Sequence, residues 1–240
     1  MIKLDILAIG VHPDDVELGC GGTLIKEVKR GKKVGIVDLT LGQLGTRGSI
    51  EKRLQEAEKA AKIMGIHERE NLEMEDGFFE NDAEHRLKII RAIRQYRPEI
   101  ILCNAPKDRH PDHGRSSQLV VDAAFYSGLQ KIECRDQNGN LLEAWRPKQL
   151  YHYIQFYDLK PDFAVNISEE IDQKIEAILA HDSQFYNPNS SEPATLISSP
   201  EFLNHTRNRA ASLGIQIGVN YAEGFISERI LGLENMEGLL

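Results

Sequence analysis

The most informative segment of this chain for its fold is Leu4-Asp5-Ile6-Leu7-Ala8-Ile9-Gly10-Val11-His12-Pro13-Asp14-Asp15, near the start. An aliphatic run that ends at a glycine and continues into polar residues predicts a buried strand leading into a non-helical turn. The proline of that turn fixes the backbone angle φ and removes a hydrogen-bond donor. Open α/β sheets place their chemistry at the carboxyl ends of strands, so the imidazole and two carboxylates predict a metal or acid/base site there.

The segments that follow predict how this first strand is built into a sheet. A helical pattern from Leu18 to Arg30 precedes a second buried run, Val34 to Thr40, and strand-helix-strand implies a right-handed parallel crossover. We therefore expect one α/β domain over residues 1–240, Rossmann-like, with a mostly parallel sheet flanked by helices. The further predicted helices are 50–64, 83–96, 115–127, 168–184 with Ser168 as N-cap, and 201–213, and the further predicted strands are 70–75, 99–104, 149–156, 163–167 and 222–226.

A second polar turn repeats the pattern of the first one. The buried run Glu99 to Asn104 leads into Lys107-Asp108-Arg109-His110-Pro111-Asp112-His113-Gly114. Packing alone gives no reason to gather so many carboxylates and imidazoles at the ends of two buried strands. The twin His-Pro-Asp turns therefore predict a functional site, whereas His67, His85 and His205 are interpreted as surface or capping residues.

Composition excludes several classes of function. With 29 basic and 37 acidic residues the net charge is −8, which argues against nucleic acid and against an anionic membrane as partners. No apolar stretch approaches the roughly 20 residues of a membrane helix. Cys20, Cys103 and Cys134 form no CxxC pair, which is consistent with a reducing compartment. We expect a cytoplasmic protein that acts on a small molecule, and the apolar C-terminal segment predicts a homo-oligomer.

The residue types in the two turns indicate metal-assisted hydrolysis. Catalytic zinc takes three protein ligands and keeps one position for water, and His12, Asp15 and His113 supply such a set if the two strands are neighbours. Asp14 would then remain free as the general base, and hydrolysis of a carbonyl derivative is favoured. His110 could stabilise the charge of the tetrahedral intermediate, with Asp112 orienting it.

Other assignments stay open at this point. His110 could be the ligand and His113 the helper, or Asp112 could bind the metal, and another divalent cation could replace zinc. Asp14 and Asp112 could also be plain helix N-caps, although this leaves the histidines unexplained. A rival of another class is a non-catalytic nucleotide-binding module that uses Gly19-Cys20-Gly21-Gly22, but this run lacks the GxGxxG spacing.

The paired motifs His12-Pro13-Asp14-Asp15 and His110-Pro111-Asp112-His113 resemble those of the LmbE-like, PIG-L zinc-dependent N-acetylglucosamine deacetylases. The resemblance covers essentially the whole chain. It implies that His12, Asp15 and His113 bind zinc, that Asp14 is the general base and that His110 stabilises the intermediate. The family often has Glu directly after the two aspartates, where this chain has Val16 followed by Glu17.

Within that family the chain is most similar to the bacillithiol-pathway deacetylases that act on N-acetylglucosaminyl malate. The supporting stretches are 16–22, 45–48, 181–185 and 221–225. Malate carries two carboxylates, which arginine binds bidentately, so Arg53, Arg109 and, less strongly, Arg47 are candidates for substrate binding. The alternative within the enzyme class is a deacetylase or amidase of another N-acyl sugar, such as a chitooligosaccharide or a mycothiol-like conjugate.

Overall fold

The computed structural model describes residues 2–235 of the chain. Within that range the elements follow one another as β1 (Ile6–Gly10), α1 (Asp15–Lys29), β2 (Val34–Thr40), α2 (Ile50–Met64), β3 (Glu68–Met74), α3 (Ala83–Tyr96), β4 (Ile100–Asn104), α4 (Pro111–Ser127), β5 (Gln149–Tyr153), β6 (Phe163–Asn166), α5 (Ile171–Leu179), α6 (Pro200–Gln216) and β7 (Ala222–Ser227).

The strands form one seven-stranded sheet with the order β3-β2-β1-β4-β5-β7-β6. The first five pair in parallel, and β7 runs antiparallel to both β5 and β6. Ile6 of β1 pairs with Val34 on one side and with Ile100 on the other. The α/β fold with a mostly parallel sheet is thereby confirmed. Strand order reverses between β1 and β4, which is where such sheets form their ligand crevice.

Helices cover both faces of the sheet. One core cluster joins the sheet to α3 and α4 through residues such as Ile93 and Leu119, and another joins it to α1 and α5 through Leu24 and Ala177. Every residue of β1 and β2 is buried. Strands covered on both faces are expected to read as continuous apolar runs, which is why the sequence pattern of β1 predicted the fold.

Two helices begin earlier than their apolar pattern predicted. Helix α1 begins at Asp15 rather than Leu18, and α4 begins at Pro111 rather than Arg115. Proline suits the first turn of a helix because its missing N–H would have no partner there. Both polar turns therefore run directly into helix N-termini, and part of each predicted loop is helical.

The C-terminal third departs most from the predictions. Strand β5 ends at Tyr153, and α5 spans only Ile171–Leu179. Ser168 is not the N-cap of α5, since its hydroxyl donates to Asn166 Oδ1 at 2.7 Å and Glu170 occupies the cap position. No helix within residues 2–235 is long and apolar enough to cross a membrane. The apolar C-terminal segment that predicted self-association includes residues 236–240, which lie outside the described range.

The glycines at the start of α1 serve packing. A Cβ on Gly19 would lie 2.1 Å from Cδ2 of Tyr153, and one on Gly22 would lie 2.8 Å from Cδ1 of Ile167. Close approach of protein side chains, not of a phosphate, accounts for both positions. The nucleotide-binding alternative loses its only support.

Candidate active site

The two polar turns meet because their strands are neighbours. With β1 and β4 parallel and in register from Ile6–Ile100 to Ile9–Cys103, their carboxyl ends lie side by side. The imidazole ring centroids of His12 and His110 are 4.7 Å apart, those of His110 and His113 5.4 Å, and those of His12 and His113 5.8 Å. Three histidines from two distant parts of the sequence thus face one another.

The carboxylate of Asp15 lies between two of these imidazoles. Its Oδ1 is 3.2 Å from Nε2 of His113, and its Oδ2 is 3.5 Å from Nδ1 of His12. The backbone N–H groups of Val11 and His12 donate to Oδ2, and Gln155 donates to Oδ1 at 2.7 Å. This buried carboxylate is held in one orientation by donors from both turns and from the segment after β5.

Two further carboxylates, which sequence reasoning missed, orient the imidazoles from outside. Asp108 Oδ2 accepts a hydrogen bond from Nδ1 of His113 at 2.8 Å, and Asp76 Oδ1 is 3.1 Å from Nε2 of His12. Asp76 lies two residues after the end of β3, and Asp108 lies in the turn after β4. A metal-binding histidine usually donates its second ring N–H to a carboxylate or another acceptor. Acidic residues just after the ends of neighbouring strands could therefore have been predicted as partners of the two histidines.

The carboxylates change the protonation of the histidines. Burial alone would lower the pKa of His12, but its hydrogen bonds to Asp15 and Asp76 outweigh burial and raise that pKa to about 10. Burial likewise opposes the charge of His113, and Asp15 and Asp108 raise its pKa to about 9. Burial would raise the pKa of Asp15, yet the two imidazoles hold it well below its ordinary value. The site is therefore built to stabilise positive charge beside Asp15.

Asp14 occupies the N-cap position of α1, but its side chain makes no capping hydrogen bond. Its Oδ2 lies 3.6 Å from a terminal nitrogen of Arg53, whose other terminal nitrogen donates to the carbonyl oxygen of Gly42. The plain N-cap interpretation therefore does not explain Asp14. Its buried carboxylate lines the cleft together with His12 and Asp15.

His110 and Asp112 are arranged differently from the prediction. The Nδ1 of His110 accepts from the backbone N–H of Asp112 and so caps α4. The Asp112 carboxylate accepts from Gly77 N and from Arg115, both at 2.9 Å, so it ties the turn after β3 to α4 rather than hydrogen-bonding the His110 ring. Burial, together with the positive charge of His12 and His113, lowers the pKa of His110. A neutral His110 next to charged neighbours fits a hydrogen-bonding role.

The three candidate arginines are not equivalent. Arg53 and Arg109 line the cleft, and the exposed guanidinium of Arg109 lies 5.2 Å from the ring centroid of Phe156. Arg47 is buried elsewhere, and it donates to the carbonyl oxygens of Ser183 and Pro193 and to the hydroxyl of Ser190. The structure does not bring Arg47 to the cleft.

The cleft itself has a volume of about 190 Å³. Polar residues of the two turns form its floor, and apolar residues form part of its wall, among them Leu18, Leu44, Phe156, Ile197 and Phe202. A polar floor with an apolar wall is the usual composition of a small-molecule site.

The donor chemistry of this floor fits a divalent metal. Ligand atoms of His12, His110 and His113 lie within 4.8 Å of one another, and so do those of His12, Asp76 and Asp112. Nitrogen from imidazole and oxygen from carboxylate are the ligands that zinc accepts in catalytic sites. Asp15, with one oxygen near each of His12 and His113, adds a third possible combination.

Comparison with known proteins gives this geometry a context. Residues 7–124 match the PIG-L family model, described as GlcNAc-PI de-N-acetylase. The chain is 31% identical to the diacetylchitobiose deacetylase of Thermococcus kodakarensis over 91% of this chain and 81% of that protein. It is 30% identical to the probable N-acetyl-α-D-glucosaminyl L-malate deacetylase 2 of Bacillus cereus, over 75% and 83% of the two chains.

A solved structure shows the same fold at higher identity. The conserved protein TT1542 from Thermus thermophilus superposes with a TM-score of 0.85 at 36% identity, covering 97% of this chain and 98% of that one. The matched family segment begins in β1 and ends in α4, so it contains both His-Pro-Asp turns. Together with the 31% identity to a deacetylase over 91% of this chain, this shows that the chain belongs to the PIG-L family of de-N-acetylases.

Proposed function

We propose that this protein is a metal-dependent hydrolase that removes the acetyl group from the 2-acetamido nitrogen of an N-acetylglucosamine conjugate. The observation that carries the proposal is the Asp15 carboxylate between the imidazoles of His12 and His113, with the Asp14 carboxylate in the same cleft. Metal-assisted amide hydrolysis requires ligands for the metal and a further group that transfers protons. His12, Asp15 and His113 are the possible ligands, and Asp14 is the further group.

In this proposal His12, Asp15 and His113 hold zinc or another divalent cation. When bound, such a cation polarises a carbonyl group and lowers the pKa of a water molecule towards about 7. The protein supports that set from outside, because Asp76 and Asp108 fix the ring orientations of the two histidines. The alternative ligand sets are His12, His110 and His113, or His12, Asp76 and Asp112. Each set predicts that substitution of its own members reduces the metal content of the protein.

The remaining residues perform the proton transfers. Asp14 takes the proton from the attacking water and returns it to the departing amine. Arg53, 3.6 Å from Asp14, orients the carboxylate that accepts this proton. His110 donates a hydrogen bond to the oxygen that gains negative charge as the acetyl carbonyl becomes tetrahedral.

The substrate is proposed to be N-acetylglucosaminyl-L-malate, an intermediate of bacillithiol biosynthesis in the cytoplasm. Support comes from the similarity to the Bacillus cereus protein and from Arg109, whose exposed guanidinium at the cleft can meet a carboxylate. Diacetylchitobiose is the second candidate, favoured by the similarity to the Thermococcus kodakarensis enzyme over most of both chains. A malate conjugate needs a cation near the sugar, whereas a neutral disaccharide does not.

Acetate release from matched substrates tests the activity and the substrate together. The purified protein is assayed with GlcNAc, diacetylchitobiose and the malate conjugate, with and without a chelator, and with zinc added back. We expect chelation to abolish turnover and zinc to restore it. Arg109→Ala should raise KM for the malate conjugate about 10-fold or more, the effect of one lost charge-assisted contact, and leave diacetylchitobiose unchanged. An unchanged KM for the malate conjugate would remove Arg109 from substrate recognition.

Two variants separate the roles of the cleft residues. Asp14→Asn should bind zinc normally but lose nearly all turnover, since the amide cannot accept the proton. His110→Ala should keep its fold and zinc content while kcat falls about 10²–10³-fold, the usual effect of losing one oxyanion donor. Near-normal turnover of zinc-loaded Asp14→Asn would show that another group is the base.

A further inference from the structure

A second cavity adjoins the cleft through Phe156. Phe156 lines the cleft, and its ring centroid lies 6.1 Å from that of His205, which lines the second cavity. This cavity has a volume of about 490 Å³. It lies between the segment 158–161 and helix α6, and the polar side chains of the helix that line it are His205, Asn208, Arg209, Ser212 and Gln216.

Arg209 is the unusual member of this set. Its side chain is half-buried, and its Nη1 nitrogen is buried without a hydrogen-bond partner. Among residues 2–235 no ion pair is formed by Arg209, whereas Arg207 on the same helix donates to Asp172 at 2.8 Å. Burial lowers the pKa of Arg209, opposed by the charges of Asp108, Asp158 and Glu223, none of which pairs with it.

A half-buried guanidinium without an ion-pair partner costs free energy unless something compensates its charge. The cavity beside it is large enough for a small molecule, and Lys160 adds a second cation to the lining. Asp158, whose side chain is exposed, also lines the cavity, so with Lys160 and Arg209 the lining carries one net positive charge. We propose that this cavity binds a compact carboxylate or phosphate anion, with Arg209 as the principal contact.

An anion in this cavity could have either of two origins. The anion is either the charged end of a substrate whose sugar lies in the neighbouring cleft, or a free small anion that binds beside it. The first source rests on the proposed deacetylase function, while the second does not. Binding and turnover are therefore measured separately, so that failure of the anion site and failure of the proposed activity can be told apart.

Isothermal titration of the zinc-loaded protein with inorganic phosphate and with L-malate tests the site directly. We expect a saturable site in the wild type that is roughly 10- to 100-fold weaker in Arg209→Met, the usual effect of losing charged hydrogen bonds. Arg207→Met, which removes a paired arginine two positions away, should bind as the wild type does. No saturable site in the wild type, or identical isotherms for wild type and Arg209→Met, would overturn the proposal.

The folding of the variant provides an independent check. Because methionine removes an uncompensated charge, Arg209→Met should melt at the same or a higher temperature than the wild type in anion-free buffer. Phosphate should then raise the Tm of the wild type more than that of the variant. If Arg209→Met does not fold, Arg209→Lys is used in its place. Lysine keeps the positive charge but lacks the planar pair of donors of the guanidinium. Wild-type phosphate affinity in Arg209→Lys would contradict the assigned contact.

Turnover distinguishes the two sources. If the anion belongs to the substrate, Arg209→Met raises KM for the malate conjugate by a similar factor, leaves kcat nearly unchanged and leaves diacetylchitobiose unaffected. If the anion is free, KM for the two substrates changes alike, while the binding difference between wild type and Arg209→Met remains. Either kinetic result agrees with an anion site, and only the titration decides whether the site exists.

Discussion

Replacing Asp108 by Asn tests the metal centre without touching a proposed ligand. Asp108 Oδ2 accepts from Nδ1 of His113 at 2.8 Å, which leaves Nε2 of the same ring facing Asp15. The other oxygen accepts from the backbone N–H groups of Arg109 and Tyr157, at 2.8 Å and 3.2 Å. Asparagine keeps one oxygen for those two donors, and its amide then faces His113. An amide donor opposite Nδ1 favours the tautomer whose proton is on Nε2, the nitrogen that a metal needs unprotonated.

The expected result follows from that exchange of tautomers. Loss of a carboxylate that orients a ligating histidine typically weakens metal binding 10- to 100-fold, or about 1.4–2.7 kcal/mol. The zinc Kd of Asp108→Asn is measured by competition with a chromophoric chelator at fixed pH. The control is Asp82→Asn, because Asp82 also pairs with a histidine, His85, at 2.9 Å but lies at the N-terminus of α3. Asparagine is an equally good N-cap, so this control should bind zinc as the wild type does. A wild-type zinc Kd in Asp108→Asn would refute the assignment of His113 as a ligand oriented by Asp108.

Two further predictions concern stability and are checked by thermal and urea unfolding. Gly19→Ala places a Cβ 2.1 Å from Cδ2 of Tyr153 and should cost at least about 1–3 kcal/mol, while Gly21→Ala, whose nearest neighbour would be 3.7 Å away, should cost little. Equal stability of the two variants would show that Tyr153 moves aside freely. Lys174→Met breaks a buried ion pair with Glu223 of 2.5 Å and should destabilise the protein by about 3–5 kcal/mol, because the carboxylate stays buried without its cation. A loss below about 1 kcal/mol would mean that the hydrogen bonds Glu223 accepts from the backbone compensate its charge.

The sequence pattern was most informative at the ends of β1 and β4. A continuous aliphatic run followed by His-Pro-Asp indicated a strand, its burial and its carboxyl end, because a strand covered on both faces is mostly apolar until it ends. The repetition of that pattern at residues 100–113 indicated that the two turns meet. Their neighbouring positions at the strand-order reversal confirm this expectation.

The sequence was less informative where a contact is made across the sheet. Asp76 and Gln155 follow different strands from those of the two turns, and nothing local distinguishes them from other polar residues after a strand. The sequence favoured Arg53 over Arg47 but kept both as candidates for substrate binding. Only the packing of the segment 183–193 over Arg47 takes all its donors away from the cleft.

The α/β class, the two polar turns and the chemical types of their side chains could be read from the sequence, because these depend on local hydrophobic pattern and on residue identity. Which groups meet depends on how the strands and helices pack. Asp15 and His113 are 98 positions apart in the sequence, yet Oδ1 of Asp15 lies 3.2 Å from Nε2 of His113. The same holds for the second cavity. A partnerless arginine cannot be distinguished from a paired one until every neighbouring carboxylate has been placed.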